Sequence, residues 1–207
     1  ASSLGLSRDP VVAAQDIVHG KPFAIDIGAF GENRWFDYVA AFGLFTNVPY
    51  QTPQVDKRIW GRMAYFFNGV QALGEVHPVH ARVSWDGKTV EADIIDGLVC
   101  STTSVGGFKA TRAVGEFGIS MNDGLYEVVL IRDIKNLADF SAVAAKLLWM
   151  DFSDENYFIT AQTSSIRFEF DDSVAWTLDG EFGVLLGDLL FGLYLDGVCL
   201  LLRVRSR

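Results

Sequence analysis

Two carboxylates flank a single glycine towards the end of the chain, at Asp179-Gly180-Glu181. A carboxylate can accept the proton of an attacking hydroxyl group when neighbouring groups hold it in place. The same three residues are also typical of an ordinary turn, since Asp-Gly is among the commonest turn dipeptides. The stretch therefore predicts either a general base or a turn, and the rest of the chain has to separate the two.

The composition of the 207 residues predicts a folded, acidic protein. Hydrophobic residues make up 50% and aromatic residues 13%, which is enough for a sizeable core. The net charge of -9 argues against nucleic-acid binding, because a phosphate-binding surface needs clustered Lys and Arg. It also gives no electrostatic attraction to an anionic membrane. Recognition of a phosphate group would therefore require a local cation, a metal ion or a second domain.

Cysteine usage and hydropathy bear on the location of the protein. Cys100 and Cys199 lie far apart in a sequence with no visible secretory signal, which favours two buried reduced thiols and a cytoplasmic protein. The most apolar segment, 183–204, is interrupted by Asp188 and Asp196. Buried strands explain this segment better than a transmembrane helix does.

Hydrophobic periodicity predicts many strands joined by short turns. Strands are expected over 21–28, 34–42, 79–85, 90–99, 125–131, 166–170 and 174–178. A short helix is expected from Asp9 to Gly20, longer helices over 60–70 and after Asn136, and a last hairpin at Asp196-Gly197. Strands do not alternate regularly with helices, which argues against a doubly wound parallel sheet. The predicted fold is mainly β (α+β), a two-layer β-sandwich or open barrel with the two longer helices packed outside.

Three further segments carry more specific information than turns usually do. They are a small-residue loop after a strand at 103–108 (TSVGGF), a polar turn entering a strand at 121–126 (MNDGLY), and 178–182 (LDGEF). Taken singly, each is typical of a loop or a turn. Their order and spacing, with 37–43 (DYVAAFG) and the aromatic helix after Pro53, resemble the C-terminal domain of the bacterial diacylglycerol kinase and lipid kinase family. That family is related in fold to sphingosine kinases and NAD kinases.

The resemblance extends from about Leu4 to Phe182 and implies the domain boundaries. Residues 1–8 are expected to be the remnant of an interdomain junction, 9–182 the family's C-terminal β-sandwich domain, and 183–207 divergent strands of the same domain. The family similarity implies a two-domain enzyme that phosphorylates a lipid hydroxyl group, such as that of diacylglycerol, with ATP and magnesium. The family's nucleotide site lies in an N-terminal domain with a Gly-Gly-Asp-Gly-Thr motif. This sequence lacks that motif, so the chain alone is expected to be inactive.

The same resemblance implies roles for individual residues. Glu181 matches the family's proposed catalytic base, and Asp179 would help to hold the site. Asp123 matches an aspartate that binds a structural magnesium ion, with the backbone carbonyl groups of Ser120 and Leu125 as further ligands. Hard oxygen ligands of this kind suit magnesium.

Departures from the family pattern support a different hypothesis. The residues 100–103 (CSTT) replace the family's Gly-Asn-Thr-Asn, Asn122 replaces an aspartate beside the metal, and the segment from Gly183 onward matches poorly. These changes favour an alternative in which the chain is a non-catalytic module that binds a lipid or another protein. A third possibility is a β-sandwich with no small-molecule role.

The expected partners follow from the kinase hypothesis. They are a diacylglycerol-like lipid and the N-terminal ATP-binding domain, with no nucleic acid and no transmembrane segment. Peripheral contact with the inner face of the membrane is expected, because the substrate is a lipid. The cleft face of the domain would be open in this chain, which predicts self-association into a homo-oligomer.

Overall fold

The computed structural model describes residues 7, 9–31, 34–43, 77–101, 104–105, 108–109, 121–149, 151–194 and 202–204. Several predicted features lie outside the described residues. They are the helix over 60–70, the glycines of the 103–108 loop, the Asp196-Gly197 hairpin, Cys199 and Ser120.

Both predicted helices that fall within the described residues form where their capping residues indicate. In α1 (Pro10–His19) the Asp9 carboxylate accepts hydrogen bonds from two backbone N–H groups of the first turn, at 2.8 and 3.2 Å. In α2 (Leu137–Leu148) the Asn136 side chain accepts two such bonds, at 2.9 and 3.0 Å. Neither of these two helices combines the length and the apolar character that crossing a membrane requires.

The described residues also form thirteen strands, most of them where the alternation of apolar residues predicts a strand. In chain order they are β1 (Lys21–Phe23), β2 (Ile27–Phe30), β3 (Arg34–Phe36), β4 (Val39–Gly43), β5 (Val79–Trp85), β6 (Lys88–Cys100), β7 (Ser104–Val105), β8 (Phe108–Lys109), β9 (Tyr126–Arg132), β10 (Phe158–Thr163), β11 (Ser165–Leu178), β12 (Glu181–Tyr194) and β13 (Leu202–Val204).

Nine of these strands form one antiparallel sheet in the order β10-β9-β6-β4-β11-β12-β2-β3, with β5 also lying between β6 and β11. The strands β4 and β5 fill the same gap, β5 beside the first halves of β6 and β11 and β4 beside their second halves. The pairs β1–β13 and β7–β8 form two small separate sheets. The apolar segment after Gly183 is therefore built from strands in its described part, as predicted.

The large sheet folds back on itself and encloses an aromatic core. Phe36 on the edge strand β3 stacks on Tyr126 of β9, with ring centroids 5.6 Å apart and an interplanar angle of 19°. Beneath them Trp176, fully buried, packs against Phe42 at 4.6 Å and against Phe30 at 5.4 Å. Burying each such side chain contributes on the order of 2 kcal/mol. The closed antiparallel sheet and its apolar interior confirm the predicted mainly β fold.

Two of the predicted strands are each divided in the structure. The strand predicted over 21–28 splits, because β1 pairs with β13 while β2 pairs with β12 and β3. The strand predicted over 34–42 stops at Asp37 and Tyr38 and resumes as β4. The backbone N–H groups of these two residues bond to the Asp179 side chain, so they do not contribute to a strand ladder. Alternation alone could not reveal this distant partner.

Two other predicted strands, 166–170 and 174–178, are joined in the structure as β11. The pairing of β11 with β12 shifts register between Glu169 and Val174, which is the signature of a β-bulge. The polar residues between them suggest a break in sequence, but they are accommodated in the bulge because their side chains are exposed.

Gly97 has the closest contact with the aromatic core. A Cβ atom added at this position would lie 2.1 Å from Cε1 of Phe42. Gly97→Ala should therefore lower the free energy of unfolding by about 1–3 kcal/mol through overpacking, as measured by urea denaturation. The penalty of the same substitution should shrink in a Phe42→Leu background, where the ring is absent. An equal penalty in both backgrounds would mean that the ring is not the cause.

Candidate functional site

The Asp179-Gly180-Glu181 stretch is a two-residue hairpin turn between β11 and β12. Asp179 and Gly180 both have positive φ angles, 53° and 88°, and Leu178 pairs directly with Glu181 across the turn. Two consecutive positive φ angles define the type I′ turn, for which Asp-Gly is a preferred sequence. The turn interpretation is therefore confirmed. It makes the exposed Glu181 the first residue of β12.

The Asp179 side chain binds the backbone at the start of β4. Its Oδ2 atom accepts a hydrogen bond from the N–H of Asp37 at 3.0 Å, and its Oδ1 atom accepts from Tyr38 and Val39, both at 2.9 Å. The Asp179 N–H donates to the carbonyl oxygen of Val39 at 2.8 Å. Successive N–H groups directed at one anion form a typical binding concavity of the backbone. Asp179 therefore ties the hairpin to a segment about 140 residues away in sequence.

Asp37 is a second carboxyl group at this turn that sequence reasoning missed. Partial burial raises the pKa of the Asp37 carboxyl, and the charge of Asp179 and a hydrogen bond with it raise that pKa further. The carbonyl oxygen of Asp37 accepts a hydrogen bond from the Ser101 hydroxyl group at 3.2 Å. The Ser101 side chain, in the 100–103 segment, therefore makes a polar contact with the start of this region.

The hairpin and the 121–126 turn lie at the same end of the sheet. Strand register places Leu178 beside Ala40, Ala40 beside Val99, and Val99 beside Val128. Three steps of about 4.8 Å between neighbouring strands put the two segments roughly 14 Å apart along the sheet. We call this end, formed by residues 37–39, 100–101, 121–127 and 178–181, the rim.

The turn over 121–125 is held by two carboxylates. Asp123 Oδ1 accepts a hydrogen bond from the N–H of Leu125 at 3.1 Å, and Asp26 Oδ2 accepts from the N–H of Gly124 at 2.9 Å. The Asp26 N–H donates in turn to the carbonyl oxygen of Met121 at 2.7 Å. Gly124 has a φ angle of 76°, which favours glycine at this position.

Asp26 is a buried residue, and the sequence carries one signal that could have identified it. It is a lone carboxylate between two isoleucines of an apolar run, where an acidic residue needs a partner. The partner itself, nearly a hundred residues away, is visible only in the folded chain.

Glu127 follows this turn in β9 and is buried, with 2% of its surface exposed. Burial raises its pKa to about 7. A hydrogen bond from Gln162 opposes that effect, and the charges of Asp123 and Asp26 add to it. The rim therefore carries acidic side chains on both of its turns.

The oxygen atoms of the 121–125 turn are of the chemical type that binds magnesium. Asp123 is exposed, and Leu125 lies on the same turn, whereas Ser120 lies outside the described residues. No three of the described His, Cys, Asp and Glu side chains are close enough together to surround a metal ion. The available donors are oxygen atoms on an acidic turn, which suits magnesium because it commonly retains several water ligands.

The predicted site residues thus fall into two groups on one rim. Asp179 and Glu181 share the hairpin, while Asp123 and Leu125 share the neighbouring turn. Sequence reasoning did not assign the side chains of Asp26, Asp37, Ser101 and Glu127.

Known proteins align with this chain along almost its whole length. The chain is similar to a diacylglycerol kinase of Bacillus subtilis, with 29% identity over 195 residues, covering 94% of this chain and 62% of that protein. A diacylglycerol kinase of Staphylococcus epidermidis is 27% identical over 181 residues, covering 87% of this chain and 55% of that protein. The chain thus spans about three fifths of the length of these relatives. No protein-family model matches it.

A solved structure shows the same fold. A putative diacylglycerol kinase from Bacillus anthracis superposes with a TM-score of 0.70 at 18% sequence identity, covering 93% of this chain and 62% of that one. At this identity the likeness concerns the fold, and it agrees with the sequence relationship over the same extent of the chain.

The hydrogen bonds of Asp179 are expected to contribute to the free energy of unfolding. Asp179→Asn should lower the free energy of unfolding by about 1 kcal/mol, because an amide cannot accept bonds at both of its heavy atoms. Glu181→Gln, two residues away and exposed, should stay within about 0.5 kcal/mol of the wild type. Urea denaturation of the two variants measures this difference, and equal stabilities would contradict the role of Asp179 as an anchor.

The raised pKa of Asp37 is expected to make the stability of the protein depend on pH. A carboxyl group with a raised pKa binds its proton more tightly in the folded state, so its contribution to stability falls as the pH rises above the ordinary value of 3.8. Asp37→Asn removes this dependence. The melting temperature of the variant relative to the wild type should therefore rise between pH 3 and pH 7. A difference that stays constant across this range would show that Asp37 titrates normally.

Proposed function

We propose that this chain is the C-terminal domain of an ATP- and magnesium-dependent lipid kinase of the bacterial diacylglycerol kinase and lipid kinase family. The proposed substrate is a lipid with a free hydroxyl group, such as diacylglycerol. The observation that carries the proposal is the hairpin on the rim. Its turn is anchored to the backbone of residues 37–39, and it presents the exposed carboxylate of Glu181.

Glu181 acts as the general base in this proposal. A lipid hydroxyl group is a weak nucleophile, and a positioned carboxylate that accepts its proton assists its attack on the γ-phosphorus of ATP. A bond forms between the lipid oxygen and the phosphorus as the bond between the phosphorus and the ADP oxygen breaks. The proton passes to the Glu181 carboxylate. Phosphorylated lipid and ADP are the products.

Asp179 serves the reaction by position. Both of its carboxylate oxygens accept backbone N–H groups, so the side chain holds the turn from which Glu181 extends. A base that shifts by about 1 Å loses much of its effect, since proton transfer requires hydrogen-bond distance. This geometry supports a positioning role for Asp179 rather than a proton-accepting one.

In this proposal a magnesium ion would be held at the neighbouring turn. Asp123 would hold it through its carboxylate, and Ser120 and Leu125 would do so through their backbone carbonyl groups. When bound, the ion would supply positive charge that stabilises an acidic segment of the rim. The buried Asp26 keeps the turn in its conformation by accepting the N–H of Gly124.

Other parts of the enzyme complete the proposal. The ATP site belongs to the family's N-terminal domain, and the 207 residues lack its glycine-rich motif. The chain alone is therefore inactive in this proposal. Because the substrate is a lipid, the proposal includes peripheral contact of the assembled enzyme with the inner, cytoplasmic face of the membrane. The open cleft face of the isolated domain favours self-association.

A chimera tests the proposed base. In it, this chain replaces the matching region of the Bacillus subtilis diacylglycerol kinase. The chimera should phosphorylate a short-chain diacylglycerol with ATP and magnesium, whereas the chain alone should give no product. Glu181→Gln in the chimera should lower kcat by at least ~100-fold, the usual effect of losing a general base. Glu155→Gln, which changes an exposed loop carboxylate away from the rim, should leave kcat unchanged.

Two outcomes would contradict the proposal. Near-normal turnover of the Glu181→Gln chimera would exclude Glu181 as the base. A folded chimera without any lipid kinase activity would favour the alternative of a non-catalytic lipid- or protein-binding module.

A further inference from the structure

The environment of Glu127 disfavours the ionised form of its carboxyl group. The residue is 2% exposed, and its Oε1 atom accepts a hydrogen bond from the side-chain amide of Gln162 at 3.3 Å. Its Oε2 atom is buried and makes no hydrogen bond with any described residue. A buried oxygen of this kind requires either a proton of its own or a further hydrogen-bonding or cationic partner.

Protein cations do not supply that partner in the described part of the chain. The ion pairs found there involve other carboxylates: Asp93, Asp133, Asp151, Asp154, Glu91 and Glu169. Removing an unpaired carboxylate from water costs several kcal/mol, so the ionised form of Glu127 depends on a positive charge from elsewhere.

The surroundings of Glu127 add negative charge. Glu127 is the second residue of β9 and follows Leu125, the end of the 121–125 turn, by two positions. Asp123 and Asp26 both accept hydrogen bonds from that turn, and the charges of both raise the pKa of Glu127. Two carboxylates thus bind this short turn, and a third, that of Glu127, follows it in β9. A bound cation would relieve their mutual repulsion and would also satisfy the buried oxygen of Glu127.

We infer that Glu127 is the buried carboxylate that completes, through bound water, the cation site of the 121–125 turn. The inference deepens the magnesium site of the proposed function and rests on it. Water must intervene, because no three described acidic, His or Cys side chains are close enough to surround an ion directly. A hard divalent cation that keeps part of its hydration shell meets this condition, and magnesium is the usual example. Outer-shell partners of this kind orient the ligands and strengthen binding.

Metal titration of the chain tests the inference without an activity assay. Mn²⁺ serves as the probe, since loss of the free-ion electron paramagnetic resonance signal counts bound metal, and Mg²⁺ should compete for the same site. Glu127→Gln should raise the Kd for Mn²⁺ by about 10–100-fold, the usual effect of losing an outer-shell partner. Asp123→Ala should abolish binding and the rise in melting temperature on adding MgCl₂. Glu155→Gln is the matched control and should bind as the wild type does.

A second measurement separates metal binding from folding. Without metal, Glu127→Gln should melt at the same temperature as the wild type or higher, because it removes a buried charge. If that variant does not fold, Glu127→Asp takes its place. It keeps the charge on a shorter side chain and should bind with intermediate affinity, and wild-type affinity in it would count against the inference.

The outcomes separate the inference from the proposals on which it rests. Wild-type affinity in Glu127→Gln, with binding lost in Asp123→Ala, would overturn the role of Glu127 and leave the Asp123 site standing. Absence of any metal binding by the wild-type chain would overturn both. Neither result touches the role of Glu181, which the activity of the chimera decides.

Discussion

The hydrogen bonds between the Asp179 carboxylate and the backbone of residues 37–39 determine how the rim is built. They end β3, set the start of β4, and hold the hairpin from which β12 begins. A carboxylate that accepts three N–H groups takes the place of a strand partner for that stretch of backbone. One short side chain therefore sets both a boundary of the sheet and the position of Glu181.

Acidic side chains gather at the two turns of the rim. Asp37 and Asp179 interact at one turn. Asp26 and Asp123 bind the next turn, and Glu127 follows that turn in β9. The pKa values of Asp37 and Glu127 are raised, because each is desolvated beside other carboxylates. By contrast, Lys146 forms ion pairs with both Asp151 and Asp154 after α2. No ion pair within the described ranges involves the carboxylates of the rim, and in the proposed function a bound cation would offset their repulsion.

The sheet brings together segments that carry these groups from distant parts of the sequence. The strand β4 lies between β6 and β11, so it connects the hairpin with the strand that leads to Ser101. The next strand, β9, brings the 121–125 turn alongside. An antiparallel sheet alternates its chain direction, which is why ends of some strands and beginnings of others meet at the same rim. Trp176 and Phe42 beneath it keep the strands in register through their packing.

Local patterns in the sequence predicted a large part of the fold. Asp9 and Asn136 marked the starts of both described helices, because a side-chain oxygen there satisfies free N–H groups. Asp179-Gly180 predicted its hairpin turn, because both residues adopt positive φ angles. Alternation located most strands. It failed at 37–38 and across the β11 bulge, where the deciding partners lie on other strands.

The sequence by itself determined the mainly β class, the turns, and the order of the three motifs that carry the family resemblance. Each of these depends on neighbours within a few residues, and the sequence displays such neighbours directly. Only the tertiary structure decided that Asp179 anchors the backbone at Asp37 and that Asp26 holds the turn beside Asp123. It also decided that Glu127 is buried, where the charges of Asp123 and Asp26 raise its pKa. These contacts join residues far apart along the chain, and the partner of a buried charge is known only once the sheet has brought its strands together.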